Sequence, residues 1–148
     1  MTKAEDIEEE FEKWADNYGK VSYSFWEGDL SEEHRQARKN AIDILKPRKG
    51  DKVLDAGCGV GWGAIDIANK VKPGKAYGVD ITGRMVEKSR EHAERAGIEN
   101  VSFVKSSVLN LPFENDFFDG AITAHAAHHF YRPVEMFSEI CRVLKPGS

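Results

Sequence analysis

Residues 53–61 read Val53-Leu54-Asp55-Ala56-Gly57-Cys58-Gly59-Val60-Gly61. An apolar run of strand length ends on an acidic residue, and three glycines then follow at alternate positions. Beyond them Ala64, Ile65, Ile67, Ala68 and Val71 recur at helical spacing, so the spelling is strand, tight turn, helix. At such a handover backbone N–H groups and the positive helix end can face a ligand, and only residues without Cβ allow near contact. Gly57, Gly59 and Gly61 supply that lack of bulk. A second strand-like run, Lys75–Asp80, ends on a carboxylate 25 residues past Asp55, placed to accept hydrogen bonds from a ribose diol. Two acid-tipped strands one helix apart are a βαβ half and point to a nucleoside cofactor.

The loop alone leaves two nucleosides open. From Gly57 the dinucleotide pattern G-x-G-x-x-G fails, because Trp62 stands at its third glycine. Gly59-Val60-Gly61-Trp62-Gly63-Ala64 fits the looser G-x-G-x-x-A, with Asp80 about twenty residues on, as NAD binding requires. Asp55 separates the readings. A carboxylate at the strand tip repels a pyrophosphate, yet suits a ligand carrying an ammonium and a sulfonium charge. The preferred ligand is therefore S-adenosylmethionine (SAM), with an NAD-binding half domain as the alternative.

Composition narrows the class. A chain of 148 residues fits one domain with its own core. Its net charge of −4 argues against nucleic acid and anionic membranes, since both need a basic face. The cluster His34-Arg35-Gln36-Ala37-Arg38-Lys39 reads as a solvated helix face. No apolar run approaches the roughly twenty residues that span a bilayer. The first ten residues are acidic, unlike a signal peptide, so a cytoplasmic protein is expected. Cys58 and Cys141 lack metal-type spacing and are expected to be reduced: Cys58 a compact filler in the glycine loop, Cys141 a core residue.

Along the chain, Ile7, Phe11, Trp14 and Ala15 describe a first amphipathic helix. Tyr18, Tyr23, Phe25 and Trp26 then place four rings in nine residues at non-helical spacing, as a lid or a packed flap. Ser31 can cap a helix whose inward stripe is expected to be Ala37, Ala41, Ile44 and Leu45, closed by Pro47. The predicted strands are 52–56, 75–80 and 101–104. A helix opening at Thr82 turns Met85, Val86, Ser89, Ala93 and Ala96 inward and stops at Gly97. Pro133 opens a last helix with Met136, Phe137, Ile140, Cys141 and Leu144 inward, ended by Lys145-Pro146-Gly147.

Five segments together resemble the class I SAM-dependent methyltransferases, in the small-molecule group of ubiquinone and menaquinone biosynthesis. They are Asp55–Gly61, Gly78–Ile81, Phe103–Phe113, Phe117–Thr123, and His128–Pro133 with Arg142–Gly147. The resemblance covers roughly residues 50–148. It implies an α/β fold with a Rossmann-like, doubly wound, mostly parallel sheet. Residues 1–50 would form an N-terminal helical cap or lid, and residues 51–148 the SAM-binding core. The family sheet runs 3-2-1-4-5-7-6, so this chain would hold strands 3-2-1-4 only, as a C-terminally truncated domain. Its fourth strand would keep an open edge through which a homodimer could form.

The resemblance also implies roles. Asp55, Gly57, Cys58, Gly59 and Gly61 would hold the methionine end of SAM and Asp80 the ribose. Ile81 and Met85 would cover the adenine faces, with Ser107, Val108 and Leu109 at its edge. Thr123 and Ala124 would line the floor beneath the sulfonium. Ser107 stands where the family commonly has an acidic residue, so its bond to the adenine amino group lacks charge assistance. His125, His128 and His129 follow the fourth strand at the carboxyl end of the sheet, where open α/β sheets bind ligands. His125 is the first candidate for substrate contact or proton acceptance, and His128 joins Tyr18, Tyr23, Phe25 and Trp26 on the substrate side. No nearby Asp, Glu or Cys completes a metal set, so no metal is expected. Asp119 is expected to serve a turn. Thr123-Ala124-His125-Ala126 lacks the signature of nucleobase methylation. The expected activity is methyl transfer from SAM to a small-molecule acceptor, leaving S-adenosylhomocysteine. A fragment that binds SAM without catalysis is the rival.

Overall fold

A computed structural model describes residues 32–123 and 132–148, together with residue 9. The aromatic segment with Tyr18, Tyr23, Phe25 and Trp26, the cap at Ser31, and Ala124, His125, His128 and His129 lie outside the described residues. Strands β1 (Lys52–Ala56), β2 (Lys75–Asp80), β3 (Val101–Lys105) and β4 (Gly120–Ile122) form one sheet ordered β3-β2-β1-β4. Every pairing is parallel, with Asp55 opposite Gly78 and Ile122, and Asp80 opposite Lys105. The two acid-tipped strands are thus neighbours, as the βαβ reading requires.

Parallel strands need crossovers that cover both faces. Helix α1 (Glu32–Leu45) precedes the sheet, α2 (Trp62–Val71) and α3 (Gly83–Arg95) are the crossovers from β1 to β2 and from β2 to β3, and α4 (Pro133–Val143) follows β4. One core joins Ile42, Val53, Ile65, Ile67, Val86, Phe103 and Ile122. A second, on the opposite face, joins Leu54, Val79, Leu111, Phe118, Met136, Ile140 and Val143. Adjacent β1 residues Val53 and Leu54 serve different cores, the period-two alternation of a strand. All five apolar positions expected on α2 are buried.

The end of α3 shows why Gly97 stops it. Gly97 takes a φ of +66°, its N–H donates to Glu94 O, and the N–H of Ile98 donates to Ala93 O. This is a Schellman end, and Ile98 packs back on the core.

Three inward stripes differ from expectation. On α1, Ile42 is the buried residue, Ala41 and Leu45 are half-buried, Ala37 is exposed, and Ile44 is 81% exposed. The aliphatic stem of Arg38 completes the true stripe 38-41-42-45. Arg38 is accordingly no solvated residue: its side chain is 15% exposed and Nε donates to Asp66 at 2.8 Å. On α3, Ala96 is exposed because it already forms the helix end, whereas His92 is buried. On α4, Met136, Ile140 and Val143 face the sheet, while Phe137 and Cys141 are exposed. That helix also ends at Val143, before the Lys-Pro-Gly turn. Leu144 is extended and bridges Phe118 in parallel beside β4.

Phe118 is fully buried amid Tyr77, Phe113 and Phe117, with ring centroids 4.8–5.4 Å from its own. Replacing Phe118 with Ala should cost about 3–5 kcal/mol. Urea unfolding would read this as a lower midpoint at unchanged slope.

Candidate functional site

The Gly57–Gly61 turn stands on the carboxyl end of β1. The N–H groups of Gly57 and Cys58 both donate to Val79 O, at 2.8 and 2.9 Å, which extends the pairing of β1 with β2 by one step. Gly61 N then donates to Cys58 O at 3.0 Å and closes a four-residue turn. Gly59, first of its two central residues, has a φ of +52°, and Gly61 one of +91°, both conformations that glycine adopts without strain. The spacing is also steric. A Cβ on Gly61 would lie 2.8 Å from Ser89 Cβ and 3.0 Å from the Phe103 ring. A Cβ on Gly78, in β2, would lie 2.6 Å from that ring and 2.9 Å from Cys58 Sγ.

Asp55 lies beneath this turn, only 4% exposed. Its Oδ2 would meet a Cβ on Gly63 at 2.5 Å, so the helix start rests directly on the carboxyl group. Burial pushes the Asp55 carboxyl up to about 7, and the charge of Asp80 adds to the rise; the Ala64 N–H and the Arg38 guanidinium oppose it. Asp80 accepts from Gly59 N through Oδ2 and from Thr82 N through Oδ1, each at 2.9 Å. It therefore ties the glycine turn to the head of α3. Burial, with Asp80 and Asp55 nearby, pushes the Cys58 thiol up as well, so the group stays protonated and is no nucleophile at neutral pH.

The other expected residues within the described range differ in burial. Ile81 and Met85 are half-buried at the head of α3. Val108 is buried, Leu109 half-buried, and Ser107 Oγ accepts from Leu109 N at 3.1 Å in a local turn. That bond leaves the hydroxyl another lone pair. Thr123 Oγ1 is buried and finds no partner among the described residues. After Leu109 the chain is pinned by Arg142 of α4, which donates to Leu111 O, Phe113 O and Asn115 Oδ1 at 2.8–3.0 Å and pairs with Glu139. Asp119 accepts from Lys52 N and pairs with Lys145, both at 2.7 Å, which bears out its role at a turn away from the strand tips.

Three residues beside the site carried little signal as sequence. Arg38 places a cation near Asp55. Ser89 and His92, both buried in α3, reach the glycine turn: Ser89 Oγ donates to Gly59 O at 2.8 Å and His92 Nδ1 meets Val60 O at 2.9 Å. Two polar residues three apart on the inner face of a helix were the available clue.

Comparison with known proteins agrees with this geometry. A family described as a methyltransferase domain matches residues 47–148. Demethylmenaquinone methyltransferase of Bacillus cytotoxicus is 30% identical over 150 residues, spanning 99% of this chain and 61% of that protein. The 24-methylenesterol C-methyltransferase 3 of Arabidopsis thaliana is 38% identical over 109 residues, 73% of this chain and 30% of its own length. A solved SAM-dependent methyltransferase from Aquifex aeolicus superposes with a TM-score of 0.72 at 27% identity, over 80% of this chain and 63% of that one. The chain belongs to the class I SAM-dependent methyltransferase family. It spans less than two thirds of the length of these curated relatives.

The raised Asp55 value has a definite sign. Between its ordinary 3.8 and about 7 the folded protein binds more protons at this group than the unfolded chain, so stability falls as pH rises through that window. Asp55→Asn should therefore melt above the wild type at pH 8, and the gap should close toward pH 4. Each tenfold change in proton affinity corresponds to about 1.4 kcal/mol, which sets an upper bound. Thermal melts of both proteins across pH 4–8 check this.

Proposed function

We propose that the chain binds SAM at the carboxyl ends of β1 and β2 and supports transfer of its methyl group to a small-molecule acceptor, with S-adenosylhomocysteine as product. The observation that carries the reading is the buried acid beneath a glycine turn, with a second acid on the next strand tip. Two carboxyl groups beside one turn suit a cationic nucleoside and oppose a diphosphate. The site residues fit that ligand by their chemistry: acids at the strand tips, apolar Ile81, Met85, Val108 and Leu109 for a base, and Ser107 with spare hydrogen-bonding capacity.

SAM itself supplies an activated methyl on positive sulfur. The protein's part is to bind and align. Asp55 would neutralise the cationic amino-acid end, Asp80 would take the ribose hydroxyls while keeping the turn in place, and Thr123 with Ala124 would line the floor. Alignment of an acceptor with the methyl can supply on the order of 7 kcal/mol or more. His125 would contact the acceptor or take its proton. Residues 1–50, with Tyr18, Tyr23, Phe25 and Trp26, would act as a cap that excludes water, joined by His128 on the acceptor side. No helix among the described residues is long and apolar enough to cross a membrane, and a cytoplasmic location accompanies the proposal. Beyond the Phe118–Leu144 bridge, the outer flank of β4 is unpaired within the described sheet, which favours self-association along that edge.

Calorimetry should show SAM and S-adenosylhomocysteine binding and NAD ignored. SAM affinity should rise with pH through about 7 as Asp55 ionises, and Asp55→Asn should abolish that rise. NAD bound in place of SAM would establish the half-domain alternative. SAM bound without turnover, against quinone-like, amine, thiol and carboxylate acceptors, would leave a binding fragment. Sedimentation at two concentrations tests the edge: a strictly monomeric species removes the dimer.

A further inference from the structure

We infer that Ser89 and His92 are positioning residues for the cofactor turn, a two-point clamp by which α3 orients the peptide planes that a nucleoside ligand meets. The inference rests on the SAM-site reading but uses residues which that reading does not assign. Ser89 is fully buried and its hydroxyl lies 2.8 Å from Gly59 O and 2.9 Å from Met85 O. His92, 3% exposed, meets the next carbonyl, Val60 O, at 2.9 Å.

A peptide unit is planar and trans, so fixing its carbonyl fixes the N–H on its opposite side. Holding Gly59 O toward α3 directs the Val60 N–H away from α3. Holding Val60 O the same way directs the Gly61 N–H, which closes the turn onto Cys58 O. Asp80 secures Gly59 N from the β2 side. Three anchors from two elements therefore set three consecutive peptide planes. The single Ser89 proton is shared between Gly59 O and Met85 O of its own helix, whereas His92 Nδ1 faces Val60 O.

The histidine's chemistry is fixed by its acceptor. Because a carbonyl only accepts, Nδ1 carries a proton, and Nε2 finds no partner among the described residues. The ring stacks on Trp62, centroids 4.6 Å apart at 16°, which holds the imidazole in plane at the start of α2. The same stack explains the tryptophan at a position where a dinucleotide site has its third glycine. Its ring covers the clamp.

The experiment compares His92→Leu with His92→Asn, whose amide N–H stands where Nδ1–H stood; both lose the stacking on Trp62. Ser89→Ala removes the other donor without adding bulk. S-adenosylhomocysteine affinity by calorimetry should weaken about tenfold in His92→Leu and Ser89→Ala, the size of one lost hydrogen bond, and remain within about threefold in His92→Asn. Amide hydrogen exchange of the unliganded proteins should quicken at Gly59–Gly61 in His92→Leu and Ser89→Ala but not in His92→Asn. In the wild type, imidazole nitrogen shifts should report a protonated Nδ1. Equal affinity and equal exchange in His92→Leu and His92→Asn would overturn the clamp. Should the wild type bind no adenosyl ligand, the SAM reading fails on its own, and the exchange comparison still decides the clamp.

Discussion

Close approach of backbone to buried side chains is the constraint on which this structure depends. Where β1 hands over to α2, the chain passes between α3, the ring of Phe103 and the carboxyl group of Asp55 with no room for a methyl group. Gly61, Gly63 and Gly78 each stand where a Cβ would come within 3.0 Å of a neighbouring side chain. The glycines are therefore a packing requirement of the unliganded fold as well as a way to let a ligand near. Sheet order, helix placement and the position of both acids follow once that crossing is made. Asp55 can be buried because α2 starts on top of it.

Burial gives Asp55 its second property. A carboxyl group beneath a helix start, beside another acid, is pushed up to about 7 and so changes charge near physiological pH. Ionising this buried group costs the fold stability. Arg38 of α1 moderates that cost from the other side. Its pairing with Asp66 links a helix outside the βαβ unit to the electrostatics of the glycine turn.

The strands of this fold were legible because their signals are short-ranged. The bounds of β1 and β2 follow from apolar runs ended by acids, and those of α3 from Thr82 and the glycine at 97. Helix phase was less legible wherever a helix carries more apolar residues than one stripe can use. On α4 both 136-140-143 and 134-137-141 are helical stripes, and only packing against Phe118 and Leu111 selects the first. On α1 the deciding stripe contains Arg38, whose stem packs like an aliphatic chain although its head is charged. Within the site, Asp55, Asp80 and the glycines were readable from type and order. Ser89 and His92 were not, because a polar residue on an inner helix face has no meaning until the carbonyl it meets is known.

Arg142 leaves a final consequence. The stretch from Leu111 to Asn115 has no regular structure of its own, and one guanidinium fastens it to α4 at three points. A lysine, with a single point of charge, could not bridge acceptors spread over five residues. The segment that follows Ser107 is thereby coupled mechanically to the helix that shares its core. A tilt of α4 would act as a lever on the stretch from Leu111 to Asn115.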